Sequence, residues 1–277
     1  MSYPKSWEVP KHEVLELCPK AHNYCVCIPV INEGDKIRKQ LEKLKPYTST
    51  VDIIILDGGS TDNSLDHKFL IEQNVRALIT KKDKGKLSAQ LRMGFAYAMN
   101  EGYEGVITID GNNKDSVESI PSFIKELKEG YDFIQGSRYV SGGKEINTPL
   151  SRKLAIKLIH APYLSLLAGY RYTDTTNGFR GHSRRLILDE RLAVFRDIFN
   201  TYELLAYLSV KAPRLGYKTK EIPVTREYPK GKIPTKISPL KGNLLLLQIL
   251  LNLLFNKYDK KDNLKNNQNK NSVGGNT

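Results

Sequence analysis

Along the first half of the chain, short apolar runs alternate with longer stretches of helical periodicity. The runs at 24–29, 51–56, 75–80, 105–110 and 132–135 are of strand length. Their near-continuous apolar character is what strands buried on both faces show. Between them, apolar residues recur at helical spacing near 35–44, 64–73, 86–100 and 117–129. Strand, helix and strand in series imply parallel pairing through right-handed crossovers. The pattern therefore predicts an α/β protein, a Rossmann-like sandwich with a mainly parallel central sheet.

Past Ser137 the pattern becomes irregular. It predicts a break at Gly142-Gly143, a helix over 151–168, a polar loop over 172–185, a helix over 202–210 and a strand over 220–224. Residues 226–238 combine Pro and Gly breaks with Lys230, Lys232 and Lys236, which suits either a solvated basic loop or a lid over a phosphate. The run LLLLQILLNLLF at 244–255 is well short of the roughly 20 residues of a membrane span. On a helix, Gln248, Asn252 and Asn256 form one narrow polar stripe and leave a wide apolar face, for the core or for a surface beside Lys257, Lys260 and Lys261. From Asn256 the composition is Asn- and Lys-rich and predicts a disordered tail.

The candidate chemistry sits where strands end. The run ending TIDGNNKDS closes on Asp110, with Gly111 behind it and Asn112 next, and open α/β sheets bind ligands at such carboxyl edges. A divalent cation holding a diphosphate would sit there. VCIPVINEGD and IIILDGGSTDNS end in similar polar clusters, so three units aimed at one edge suggest one nucleotide site. Gly58 and Gly59 serve the turn, and Ser60, Thr61 and Asp62 are candidate caps for the helix that follows. No G-x-G-x-x-G follows the first strand and no G-x-x-x-x-G-K-[ST] occurs. Phosphate must be held another way.

Composition narrows the partners. The 277 residues carry 43 Lys and Arg against 30 Asp and Glu, a net charge of +13, which favours anionic partners: phosphates, nucleic acid or an acidic membrane face. The basic residues are interspersed with acids rather than grouped with stacking aromatics, against nucleic acid. The three cysteines, Cys18, Cys25 and Cys27, are too few and too crowded for a disulfide framework and indicate a reducing compartment. A zinc site with His12 and His22 is the alternative to plain core packing of Cys25 and Cys27. The N-terminus lacks an apolar signal core, and a cytoplasmic protein is expected.

The series IPVINEGDKI, ILDGGSTDNS, DKGKLSAQLRMGF, ITIDGNNKDS, IQGSRYVSGG and DTTNGFRGHSRR resembles the family 2 glycosyltransferases of GT-A fold, in the branch of dolichyl-phosphate mannosyltransferase and the polyprenyl-phosphate sugar transferases. The resemblance spans about 23–243. It implies an inverting transferase that moves a sugar from a nucleotide-diphosphate sugar to a polyprenyl-phosphate or glycan acceptor, with Mg²⁺ or Mn²⁺ as cofactor and a peripheral contact at the inner membrane face. By position it implies that Pro29, Asn32, Glu33, Asp57, Lys86, Asp110, Gly111 and Asn112 bind the nucleotide sugar, and that Asp110 and Asn112 hold the metal. Arg138, Asp174, Asn177, Gly178, Arg180, Lys230 and Lys236 would face the diphosphate or acceptor. Asp110, Arg180 and Glu203 would be catalytic, with Glu203 or Asp174 as a base if the acceptor is a hydroxyl.

On this reading residues 1–22 are an N-terminal extension, 23–140 the nucleotide-sugar half of one GT-A domain, 141–255 an irregular acceptor half with the basic loop and an apolar C-terminal helix, and 256–277 a tail. Two positions depart from the family pattern. Gly58 stands where many members have a second Asp, and Asn112 replaces the second carboxylate of D-x-D, which lowers the ligand charge for a hard cation. Asn112 also motivates the alternative of a catalytically silent nucleotide-sugar-binding protein.

Overall fold

The computed structural model describes residues 3–229 and 239–260. Its strands are β1 (His12–Glu16), β2 (Tyr24–Val30), β3 (Asp52–Asp57), β4 (Val75–Lys81), β5 (Gly105–Thr108), β6 (Phe133–Ser137), β7 (Lys144–Ile146), β8 (Arg180–Ser183), β9 (Thr219–Pro223) and β10 (Thr225–Glu227). Eight of them form one sheet in the order β1-β4-β3-β2-β5-β8-β6-β9, and β10 pairs with β7 beside it. β2 runs parallel to β3 and β5, β3 to β4, and β6 to β9. The helices are α1 (Asp35–Leu44), α2 (His67–Glu72), α3 (Leu87–Asn100), α4 (Ile120–Lys128), α5 (Leu150–Ala155), α6 (Ala161–Ala168), α7 (Arg184–Ile187), α8 (Glu203–Arg214) and α9 (Pro239–Leu254).

Period-two alternation divides the strand residues between two apolar layers. Val26, Ile28 and Val30 pack with Ile37 and Leu41 of α1 and with Phe123 and Leu127 of α4. Cys25, Cys27, Ile54 and Leu56 face the other way, toward Leu91 and Phe95 of α3 and Leu204 and Leu208 of α8. Both cysteines are thus core residues, and burial raises the Cys25 thiol well above its ordinary range, as an inert packing thiol requires.

Five expectations change. Residues 12–16, read as part of an extension, form β1, antiparallel to β4 at the sheet edge. The polar loop over 172–185 contains β8, which lies mid-sheet and antiparallel to both β5 and β6. The helix over 151–168 is two helices joined by a π turn at Ile156–His160; Pro162 follows, and its missing N–H explains the register change. The cap of α2 is Asp66, whose side chain accepts from Phe69 N at 3.0 Å, rather than any of Ser60, Thr61 and Asp62. The residues after α9 also differ from a tail at their start, since Tyr258 is buried and its carbonyl accepts from Arg196. Lys230, Lys232, Lys236, Lys261 and the tail from 261 lie outside the described residues.

Candidate active site

The ends of β3, β2 and β5, neighbours in the sheet, place Asp57, the Asn32 loop and Asp110 on one edge. Polar side chains tie the first two loops together. The Asp57 carboxylate accepts from Ser60 N at 2.8 Å, Asn32 N donates to Ser60 Oγ at 3.0 Å, and Thr61 N donates to Asn32 Oδ1 at 2.8 Å. Gly34 N donates to Asp62 at 2.8 Å, which keeps Asn32 and Glu33 beside the Asp57 turn. Gln90 of α3 holds the same corner from below, donating to Val30 O at 2.9 Å and Leu56 O at 2.7 Å. Sequence reasoning passed over Gln90 because it sits inside a helix pattern.

Asp110 leaves the sheet between two close backbones. A Cβ on Gly111 would stand 3.0 Å from Pro29 O, and one on Gly178 would stand 2.4 Å from Asp110 Oδ1. Only glycine at 178 leaves that carboxylate oxygen its space. Thr108 Oγ1 donates to Gly178 O at 2.8 Å, so the NGF segment, Asn177 included, is laid against the end of β5.

Arg226, which sequence reasoning did not select, is the link between the halves. Its guanidinium reaches Asp110 Oδ2 at 2.9 Å and Asn177 Oδ1 at 3.4 Å and pairs with Asp115. Burial alone would lower the guanidinium, but Asp115 and Asp110 outweigh it and raise it well above its ordinary value. Asp115 is fully buried, and that burial pushes its carboxyl up against the pull of Arg226. The side chain of Asp110 remains 28% exposed. The REYP stretch carried one signal for Arg226, a cation just beyond a strand that ends at the same sheet edge.

Asn112 Oδ1 is buried without a hydrogen-bond partner. An orphaned carbonyl oxygen two residues from a half-open carboxylate fits a divalent cation chemically. No group of three or more His, Cys, Asp or Glu among the described residues could hold a metal unaided, so a cation here would take the rest of its ligands from a bound diphosphate and water.

The structure does not bring three other candidates to this edge as free groups. Asp174 is fully buried and bound by Arg138 through two bonds of 2.6 and 2.9 Å, so the two neutralise each other. Arg180 points into the core from β8 and donates to Asn177 O at 3.0 Å, Leu205 O at 2.5 Å and Thr175 O at 2.9 Å. Burial lowers its guanidinium to about 10. Its role is to satisfy carbonyls at the centre of the sheet, which corrects its assignment to the diphosphate. Glu203 begins α8 and accepts from Thr201 N at 2.7 Å and from the Thr201 hydroxyl, which commits both of its oxygens to the turn that leads into the helix. Lys86 is exposed at the start of α3, its Nζ 5.4 Å over the Tyr202 ring, and its backbone N–H is bound to Asn200 O at 2.8 Å.

A cationic cluster that the sequence reading did not assemble surrounds Tyr228. Lys114 Nζ stands 5.1 Å, Arg152 5.3 Å and Arg226 5.7 Å from its ring centroid, and Arg138 Nη1 lies 3.4 Å from its hydroxyl. Burial would raise the phenol, yet the Arg226 and Arg138 charges hold it below its ordinary value. Burial, then the charges of Arg226 and Arg152, lower the Lys114 ammonium. Four cations converging on one buried ring make the surroundings favourable for negative charge.

Residues 25–193 match the model of glycosyl transferase family 2. The chain is 26% identical over 203 residues, 72% of its length and 81% of the relative's, to an undecaprenyl-phosphate mannosyltransferase of Micrococcus luteus. It is 25% identical over 203 residues, again 72% of the chain and 76% of the relative, to a polyprenol monophosphomannose synthase of Mycolicibacterium smegmatis. Its fold is similar to that of glucosyl-3-phosphoglycerate synthase from Mycobacterium tuberculosis, solved with Mn²⁺, uridine diphosphate and phosphoglyceric acid, at a TM-score of 0.61 and 16% identity over 85% of this chain and 78% of that one. The chain is a glycosyltransferase and belongs to family 2.

Proposed function

We propose that the protein transfers a hexosyl group, with inversion, from a nucleotide-diphosphate sugar to a polyprenyl phosphate. The observation that carries the choice of acceptor is the commitment of both candidate bases. Asp174 is locked to Arg138 and Glu203 to Thr201, whereas Arg152 and Arg226 gather at the Tyr228 ring beside Asp110. A sugar hydroxyl needs a base to take its proton; a phosphate oxygen is already ionised and attacks without one. The relatives' names agree with that acceptor.

In this reading Asn32, Glu33 and Asp57 hold the nucleoside against the corner pinned by Gln90, and Pro29 and Gly111 let the two loops close on it. Asp110 and Asn112 would hold Mg²⁺ or Mn²⁺, which when bound neutralises charge on the departing diphosphate. Arg226 fixes the Asp110 carboxylate in one orientation, so no reorganisation is required when that charge develops. The acceptor phosphate enters from the Arg152 and Tyr228 side and attacks the anomeric carbon opposite the diphosphate. Lys230 and Lys236 remain candidates for the diphosphate, and a peripheral membrane contact would deliver the lipid.

The test is extraction of product. Purified enzyme is incubated with labelled UDP- and GDP-sugars and a polyprenyl phosphate in the presence of Mg²⁺ or Mn²⁺, and label is expected in the organic phase. Asp110→Asn should reduce that transfer by on the order of 100-fold or more with its melting temperature unchanged. Donor binding without transfer to any polyprenyl phosphate would instead favour the silent binding protein.

A further inference from the structure

The cation cluster beside Asp110 has more positive charge than the carboxylates around it can absorb. Lys114, Arg138, Arg152 and Arg226 gather near Tyr228, and the carboxylates among them are Asp110, Asp115 and Asp174. Arg138 is spent on Asp174 and Arg226 on Asp110 and Asp115. No ion pair to Lys114 occurs among the described residues. Two unspent cations remain, and of these Lys114 lies on the loop that carries Asp110 and Asn112.

That loop is fixed on both sides of Lys114. Asn113 N donates to Gln40 Oε1 at 2.7 Å and Lys43 Nζ donates to Asn113 Oδ1 at 3.1 Å, which ties the loop to α1. On the other side Glu227 N donates to Lys114 O at 2.7 Å and Asp115 pairs with Arg226, which ties it to β10. The backbone that carries the ammonium is therefore fixed, and the half-buried ammonium stands 5.1 Å from the Tyr228 ring centroid, so that little of the loop has to reorganise when an anion arrives.

We propose that Lys114 is a resident counter-charge for the donor's diphosphate: it supplies part of the positive charge that Asp110 and Asn112, with one carboxylate between them, draw only weakly from a divalent cation. This rests on the donor-site reading above and goes beyond it in predicting nucleotide affinity without metal. A single carboxylate and a neutral amide bind a hard cation less tightly than two carboxylates. An ammonium fixed beside them adds a charge-assisted contact to phosphate that no chelator removes.

The experiment is calorimetry of UDP, GDP, CDP and dTDP on wild type, Lys114→Gln and Lys114→Arg, each in EDTA and in excess Mg²⁺, with farnesyl phosphate as a separate ligand. Wild type should retain measurable affinity in EDTA for the diphosphate it binds. Lys114→Gln should lose that metal-free affinity by on the order of tenfold or more, the size of one charge-assisted contact, lose clearly less in Mg²⁺, and keep its melting temperature. Lys114→Arg should restore it. Equal losses with and without Mg²⁺, no loss in EDTA, or a wild type that binds diphosphate only with metal would each overturn the proposal. So would a Lys114→Gln enzyme that loses farnesyl phosphate and keeps nucleotide, which would place Lys114 on the acceptor. A wild type that binds none of the nucleotides even in Mg²⁺ would remove the donor-site reading itself.

Discussion

A carboxylate can do chemistry only with the oxygens its neighbours leave uncommitted, and at residue scale that separates Asp110 from Asp174 and Glu203. Asp110 gives Oδ2 to Arg226 and keeps Oδ1 toward the space that Gly178 leaves open. Asp174 gives both oxygens to Arg138, with Thr176 N also bound to Oδ1 at 3.1 Å. The pair is almost completely buried, so removing one partner strands a charge in a poorly solvated site. Asp174→Ala should then lose about 3–5 kcal/mol of folding stability, read by urea denaturation, whereas a base would lose turnover at constant stability. A stable Asp174→Ala protein with depressed kcat would return Asp174 to the catalytic groups. Arg180 follows the same logic, since its bonds are to buried carbonyls and its loss should show as unfolding.

At the scale of elements, the sequence was most legible where one periodicity ran unbroken. The strand and helix series of the first half is observed almost as written, because each strand is buried on both faces and reads as an apolar run. β8 was not legible. Its residues, Arg180-Gly181-His182-Ser183, have neither alternation nor an apolar run, and its place in the sheet is fixed by tertiary packing, where a side chain at Gly181 would stand 3.0 Å from Ile134. The site divides in the same way. Asp57, Asp110, Asn112 and Gly178 stand at strand ends or in turns, where polar residues signal themselves, Arg226 had only its place beyond a strand end, and Gln90 and Tyr228 reach the site only through the fold. His182 of β8 makes this testable. Both of its ring nitrogens are buried without partners, between Phe95 and Phe133, and burial first, then Arg180, lowers it to about 3. The unfolded chain takes up this proton near pH 6.5 and the folded chain only near the lowered value. Stability contributed by neutral His182 is therefore full above that ordinary value and falls as pH drops, by about 1.4 kcal/mol per pH unit. Between pH 7 and 5 wild type should lose roughly 2 kcal/mol from this source, and His182→Phe should lose correspondingly less. Parallel pH dependences in urea melts would show that His182 is not the group titrating.

For the molecule as a whole, the acceptor proposed above raises the question of how a lipid phosphate would reach a site on an α/β sheet edge. No helix among the described residues is long and apolar enough to cross a membrane. Large apolar side chains are nevertheless exposed on two helical stretches: Leu154, Leu158 and Leu166 on α5 to α6, and Leu244, Leu247, Leu251 and Leu254 on α9. The stretches touch, since Tyr163 of α6 donates to Leu250 O of α9 at 2.9 Å. Ile249 and Leu253 pack inward, as the core reading of 244–255 expects, while α9 also leaves apolar residues at the surface. Arg152, Lys157, Lys257 and Lys260 are exposed along these stretches, and Arg152 is also part of the cluster at Tyr228. Exposed leucines beside exposed cations are the pattern of a surface that lies in the headgroup region of an anionic bilayer. Flotation should accordingly recover the protein with vesicles containing anionic lipid and much less of it with purely zwitterionic ones. Replacing the exposed Leu158 and Leu247 by Glu should abolish flotation with little change in melting temperature, because neither side chain is packed. Transfer to a polyprenyl phosphate in vesicles should fall with it, whereas transfer to a short-chain prenyl phosphate in solution should persist. A double variant that still floats, or that loses both activities together, would mean that the lipid enters elsewhere and that these leucines serve another purpose.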